Sequence, residues 1–365
     1  MPAPATSASL EARLRREIQR AGPIPVDRFL ALALLDPDHG YYCRHDVLGA
    51  AGDFVTAPEI SQMFGEIVGL WLAQAWLDLG RPAPVNLIEL GPGRGTLLAD
   101  LMRVGRGMPG FVDAARLHLV EASPTLRACQ RERLAAFAPA WVETLEAVPA
   151  GPMLLIANEF LDALPVRQLV RAEVGWVERC VGLVDGRLGF TPGSEPLRDP
   201  PGFDAPPGTV TEVSPAREAL VQAIARRLAA DSGVALLIDY GGVADGATGD
   251  TVQAVRGHQH ADPLAAPGAT DLSSQVDFGA LGRAARSAGA RVFGPVPQGP
   301  FLRAFGLEAR AARLLAEAPP GQQRPIRQAL FRLTDPSQMG EVFKVLVITT
   351  PDGPLPPGFH AESPS

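Results

Sequence analysis

Four apolar residues, Leu154-Leu155-Ile156-Ala157, run into Asn158 and Glu159 and then, past Phe160-Leu161, into Asp162. So short an apolar run reads as a strand buried on both faces, and an amide with two carboxylates at its end calls for a job. Two other strand-like runs end the same way. Asn86-Leu87-Ile88 leads to Glu89 and then to Gly91, Gly93 and Gly95 ahead of a helical stretch, while Leu117-His118-Leu119-Val120 leads to Glu121. In a doubly wound sheet, a glycine turn feeding a helix offers backbone N–H groups at the carboxyl edge, where an anionic or nucleotide ligand can approach. Glu121 stands where a carboxylate can accept hydrogen bonds from both hydroxyls of a ribose. Each feature also has a plainer use. The glycines serve as a tight turn, Glu121 as an acid favoured by the dipole of the following helix, Asp162 as a helix cap and Asn158 as a pin for the turn.

The elements that must position these residues follow from periodicity. Short apolar strands are expected near residues 85–90, 116–121, 153–158, 235–240 and 343–349, with weaker ones near 140–144 and 290–294. They alternate with helical runs, which predicts an α/β fold with a parallel sheet covered by helices on both faces. Ahead of it, Leu10, Leu14 and Ile18 mark an amphipathic helix over 8–22 that stops at Gly22. A second helix over about 58–79 is apolar around nearly its whole circumference and should be packed on several sides. Thr56 to Glu59 fits a capping box, with Pro58 in the first turn. The stretches RQLVRAEV and GWVERCVGLVDGRLGF alternate at period two around Asp185-Gly186, as an inserted hairpin would. Residues 191–208, 318–325 and the tail from Pro351 read as loops.

A polar segment after the 235–240 strand carries His258, His260, Asp262, Asp271 and Asp277, a composition that suits a loop over a site. Its histidines lack the helical i,i+4 pairing of a metal site, so no metal is expected. Asp271 with Ser273 would cap the helix that starts near Val276.

Composition narrows the function classes. With 33 basic and 40 acidic residues the chain carries a formal charge of −7, so it has no global field to attract a nucleic-acid backbone or an acidic membrane. The three cysteines, Cys43, Cys129 and Cys180, show no metal-type spacing, and their odd count suits a reducing compartment. The most apolar stretch, around 68–79, is too short to span a bilayer. A cytoplasmic protein is expected, or a mitochondrial matrix protein if the source is eukaryotic.

The order Glu89-x-Gly91-x-Gly93-x-Gly95 departs from the dinucleotide pattern, whose third position would fall on Thr96, and resembles the first motif of class I S-adenosylmethionine-dependent methyltransferases. Methyl transfer to a good nucleophile needs little acid or base chemistry. An arginine guanidinium is protonated at any working pH and has no free lone pair, so a carboxylate must fix its fork and stabilise charge as a proton leaves. Glu159, with Asp162 nearby in sequence, is the residue type that task requires.

Taken together, GDFVTAPEISQMFGEIVGLW, IELGPGRGTL, LVEASPTL, IANEFLDALPVRQ, IDYG and the segment from GDTVQAVRGH to DLSSQVDF resemble the MidA-type family of methyltransferases, over roughly residues 12 to 350. The resemblance implies a Rossmann-like class I methyltransferase core with a seven-stranded sheet, at 81–350, carrying an insertion at about 166–212. It also implies an N-terminal helical segment, 1–80, that contributes to the active site, with 351–365 as a tail. It places cofactor binding on Glu89, Gly91, Gly93, Gly95 and Glu121, catalysis on Asn158, Glu159 and Asp162, and closure of the site on Gly52 to Ser61. S-adenosyl-L-methionine is the implied cofactor. The implied activity is protein arginine methylation linked to assembly of respiratory complex I, with a protein substrate such as a complex I subunit and a homodimer left open. Two rival readings keep the fold: a methyltransferase for a small molecule, and a non-catalytic factor that binds a complex I subunit.

Overall fold

The computed structural model describes residues 9–43, 55–173, 175–243, 249–257 and 259–360. The chain forms two compact units, one from 55–161, 218–243 and 276–365, the other from 1–54, 162–217 and 244–275.

The first unit is built on a sheet. Its strands are β1 (Val85–Leu90), β2 (Ala115–Val120), β3 (Ala140–Val142), β4 (Met153–Asn158), β5 (Gly233–Gly242), β6 (Arg291–Pro297) and β7 (Phe343–Thr349). They lie in the order β6-β7-β5-β4-β1-β2-β3. All neighbours are parallel except β7, which runs antiparallel to β5 and β6. An eighth, two-residue strand, Val276–Asp277, pairs with the end of β5, so the sheet exceeds the expected seven by one short strand. Every residue of β1 and β4 is buried, as strands covered on both faces require.

Three helices position the carboxyl edge: α1 (Gln62–Asp78), α2 (Thr96–Gly105) and α3 (Pro124–Arg133). Twelve of the seventeen residues of α1 are buried, Trp71 and Phe64 completely, and each such large side chain contributes about 1.5–3 kcal/mol. Gly65 and Gly69 let α1 lie directly on α2: a Cβ on Gly65 would sit 2.7 Å from that of Asp100, and one on Gly69 would sit 2.8 Å from Leu101 Cα. Glu66 is 3% exposed and is gripped by Arg103 of α2 and by Arg310, each at 2.6 Å. Burial works to raise its pKa, but the hydrogen bonds from the two guanidinium groups win and hold it below the ordinary value.

The helix expected over 58–79 is divided. A short helix, Ala57–Ile60, precedes α1, and Ser61 caps α1 by accepting from the Met63 N–H. Pro58 does lie in the first turn, but Thr56 makes no side-chain cap and the Glu59 carboxylate goes to the Thr96 hydroxyl, so the capping box does not form. The helix after Val276 is capped by Asp277, which accepts from the Ala280 N–H, while Asp271 and Ser273 lie in a strand. The loop expected over 318–325 is only Ala318 and Pro319: a helix runs from Pro320 to Thr334. Proline at the first helical position has no N–H to lose.

The second unit packs the helices Leu10–Ala21 and Val26–Leu35 with an antiparallel sheet formed by Arg167–Ala172, Gly175–Val184, Arg187–Pro196 and Val210–Val213. Leu10, Leu14, Phe29, Leu34, Val181 and Leu272 share its core. The hairpin turn falls on Asp185-Gly186, at φ 49° and 74°, the left-handed pair that a two-residue turn of this kind demands. Its outgoing strand continues to Pro196, into the stretch read as loop, because an edge strand tolerates proline where a central one does not. No helix among the described residues is long and apolar enough to cross a membrane.

Candidate functional site

The first unit gathers the polar strand ends at the carboxyl edge of three adjacent strands. Glu89 of β1 pairs with Ile156 of β4 on one side and with Leu119 of β2 on the other. The chain leaves β1 through Gly91, Gly93 and Gly95, all left-handed at φ 61°, 52° and 77°, and enters α2 at Thr96. Gly91 is required sterically as well, since a Cβ there would lie 2.5 Å from the Phe160 ring. A Cβ on Gly93 would meet nothing within 4 Å, so the loop backbone faces open space.

Glu89 is 3% exposed and its Oε2 has no hydrogen-bond partner. Burial first, and the charge of Glu121 second, push its pKa from 4.5 to about 8. Glu121 ends β2 with both oxygens engaged: the Ser123 N–H donates to Oε1 at 2.8 Å and the Gln130 amide donates to Oε2 at 3.2 Å. Its pKa is raised by burial against the pull of those bonds. Ser123 also caps α3, as its place before Pro124 suggests, so the cap and the carboxylate occupy one turn without competing.

Gln130 was not legible as a site residue. It is fully buried on α3, donates to the Gly93 carbonyl at 2.7 Å and to Glu121, and accepts from the Trp141 indole at 2.8 Å. One amide thereby sets the spacing between the glycine loop, the acid after β2 and the Trp141 ring of β3. A glutamine in a helix carries no local signal of this, because its three partners come from three separate turns.

At the end of β4, Asn158 donates to Glu159 Oε1 at 3.1 Å, and its own buried Oδ1 has no partner. Glu159 Oε1 also accepts from the Ala57 N–H at 2.7 Å. Glu159 takes φ 49°, a conformation that costs a residue with a Cβ about 1–2 kcal/mol. The strain is held in place from β5. The Ile238 carbonyl accepts from the Glu159 N–H at 2.9 Å, and the fully buried Asp239 accepts from the Leu161 N–H at 2.9 Å and from the Tyr240 N–H at 2.9 Å. Strained backbone of this kind clusters at functional sites.

Asp162, three residues on, belongs to the second unit, and the structure groups it with other partners. Burial pushes its pKa to about 6 although the Arg217 charge pulls it down. Its carbonyl accepts from the Ser274 N–H and from Arg217, both at 3.1 Å. The Tyr42 phenol, hydrogen-bonded to Asp271 at 3.2 Å, is raised by burial and then by the charges of Asp271 and Asp162. The polar segment disperses in the same unit: Asp262 accepts from the Leu264 N–H, His260 lies in the strand Gln259–Ala261, and Asp271 in the strand Asp271–Ser273. His258 and residues Gly52 to Phe54 of the expected closing motif lie outside the described residues.

Comparisons with known proteins place the chain among methyltransferases. Residues 67–296 match the family described as "Putative S-adenosyl-L-methionine-dependent methyltransferase". The chain is 39% identical to the Protein arginine methyltransferase NDUFAF7 homolog, mitochondrial, of Drosophila melanogaster, over 93% of this chain and 84% of that one. It is 34% identical to Protein arginine methyltransferase NDUFAF7, mitochondrial, of Homo sapiens, over 92% and 82%. It also resembles a crystal structure from Burkholderia thailandensis bound to S-adenosyl-homocysteine, with a TM-score of 0.81 and 30% identity over 99% of both chains.

The residues present fit S-adenosylmethionine. A buried acceptor without a donor costs about 1–3 kcal/mol; Glu89 Oε2 and Asn158 Oδ1 are two such acceptors at the ends of neighbouring strands, suited to a ligand that brings its own N–H groups. The open face of the glycine loop and the carboxylate of Glu121 complete the set that a nucleoside with an amino-acid tail would use. With a continuous seven-strand path in the order of a class I methyltransferase sheet, the chain belongs to the family of S-adenosylmethionine-dependent methyltransferases.

Proposed function

We propose that this methyltransferase acts on an arginine side chain of a protein, with Glu159 orienting the guanidinium. The observation that carries the reading is the placement of Glu159: a left-handed residue at the end of β4 whose carboxylate is aimed by the Ala57 amide and by Asn158. Relatives named as protein arginine methyltransferases, 34–39% identical over nine-tenths of the chain, support it.

S-adenosylmethionine, when bound, supplies an electrophilic methyl group on a sulfonium centre. Glu121 would accept from the ribose hydroxyls, and Glu89 with Asn158 from the ammonium, with Gly91, Gly93 and Gly95 keeping the loop backbone within reach. The guanidinium is planar, always charged and rich in donors, so a fixed carboxylate holds it through paired charge-assisted hydrogen bonds. Glu159 then polarises the attacking nitrogen and stabilises the charge as its proton departs; orientation and preorganised electrostatics supply most of the rate. Asp162, whose pKa burial raises to about 6, is assigned in this reading as a further catalytic acid.

In its finer form the reading takes a respiratory complex I subunit as the protein substrate and leaves a homodimer open. It places that work in the cytoplasm, or in the mitochondrial matrix of a eukaryote. It also assigns 1–80 as a helical segment contributing to the site, 81–350 as the catalytic core with its insertion at 166–212, and 351–365 as a tail. Incubating the protein with methyl-labelled S-adenosylmethionine and a protein extract, then hydrolysing the product, should yield methylarginine. Glu159→Gln should lower the yield by about a hundredfold or more. Label on a small molecule alone, or equal turnover by the variant, refutes the proposal.

A further inference from the structure

Glu59 is a carboxylate that the mechanism leaves unused, and its contacts join the elements on which the site depends. It sits on the short helix Ala57–Ile60, closed by hydrogen bonds from the Glu59 and Ile60 N–H groups to the Thr56 carbonyl at 2.9 and 3.2 Å. Its Oε1 accepts from the hydroxyl of Thr96, the first residue of α2 after the glycine turn, and lies 3.6 Å from the guanidinium of Arg133, the last residue of α3 after Glu121. Two residues earlier on the same turn, the Ala57 N–H donates to Glu159. One turn of helix is thus tied through Glu59 to the helices that follow β1 and β2, and through Ala57 to the acid that ends β4.

We infer that Glu59 is a positioning residue: it fixes the turn 56–60 against α2 and α3, so that the Ala57 amide holds the Glu159 carboxylate in its reactive orientation. The inference rests on the proposed role of Glu159. Ala57 itself is fully buried, and its amide is a fixed donor only as long as the turn does not shift. Glu59 is exposed, and such a surface ion pair adds little to global stability. Its removal therefore separates positioning from folding. A displacement of about 1 Å at a reacting group is enough to cost up to about a hundredfold in rate.

The test uses the full chain with methyl transfer, S-adenosylhomocysteine calorimetry and amide hydrogen exchange read at Ala57. Glu59→Ala should lower kcat by about tenfold or more while leaving S-adenosylhomocysteine affinity within about threefold, and should speed exchange at Ala57. Glu59→Gln keeps an acceptor for Thr96 and should restore most of kcat. Thr96→Val removes the same bond from the other side and should reproduce the faster Ala57 exchange. Unchanged Ala57 exchange in Glu59→Ala overturns the inference, as does a loss of affinity as large as the loss of kcat/KM. Failure of the wild-type chain to methylate arginine would refute the functional reading instead, and the exchange data would still decide the link between Glu59 and Ala57.

Discussion

Replacing Glu89 with glutamine tests whether a protonated acid sits at the centre of the cofactor edge. The Glu89 carboxyl is raised from 4.5 to about 8, by burial first and by Glu121 second. An acid raised on folding binds more protons in the folded than in the unfolded state. Its unfavourable contribution is therefore absent below 4.5, grows as pH rises toward 8, and is constant above. The gap between those values corresponds to a stability loss of at most about 5 kcal/mol across that window. Glutamine is the isostere of the neutral acid and has nothing to ionise, so Glu89→Gln should keep a urea midpoint that declines far less between about pH 5 and about pH 9. The residual slope would belong to the other acids that burial raises, Glu121, Asp162 and Asp100. Ligand binding should move the other way. If the ionised carboxylate receives a ligand ammonium, its population rises from roughly one in a hundred at about pH 6 to about half at about pH 8, and wild-type Kd for S-adenosylhomocysteine should tighten by about fiftyfold. Calorimetry in buffers of different ionisation enthalpy would show proton release on binding. Identical pH slopes for wild type and Glu89→Gln, in unfolding and in Kd, would refute the assignment.

Other outcomes follow from the same geometry. At Glu159, glycine should be more stable than alanine by up to about 1 kcal/mol in urea unfolding, the reverse of the usual order, because φ 49° strains any residue with a Cβ; alanine as the more stable variant would contradict the left-handed assignment. Gly69→Ala should cost about 1–3 kcal/mol of unfolding free energy, since its Cβ would press on Leu101 Cα and Val104 Cγ1 at 2.8 Å each. Gln130→Ala breaks the bonds to Gly93, Glu121 and Trp141 and should weaken S-adenosylhomocysteine binding by about tenfold or more in calorimetry; unchanged affinity would remove it from the site. Glu121→Ala should abolish micromolar binding in the same titration, and retention of that affinity would deny it the ribose.

Much of this protein is written locally. Strand ends at Glu89, Glu121 and Asn158 are legible because an apolar run that stops at a carboxylate or an amide is a feature of consecutive residues, and three glycines in one short loop permit the left-handed backbone that a tight turn needs. The cap at Ser123, the stop at Gly22 and the turn at Asp185-Gly186 are legible for the same reason: each is settled by hydrogen bonds or dihedrals within a few residues. Tertiary structure decided what depends on distant partners. Glu59 looks like half of a capping box until α2 brings the Thr96 hydroxyl to it, and nothing local announces that the Ala57 amide will meet Glu159, 102 residues away. Gln130 and Asp239 became part of the site only through burial against other turns. Proline-rich segments misled at 191–196, where an edge strand tolerates proline, and at 320–325, where Pro320 opens the helix and Pro325 is carried within it. The protonation of Glu89 was beyond the sequence altogether, because it depends on how completely two neighbouring strands and a second carboxylate exclude water from one oxygen atom.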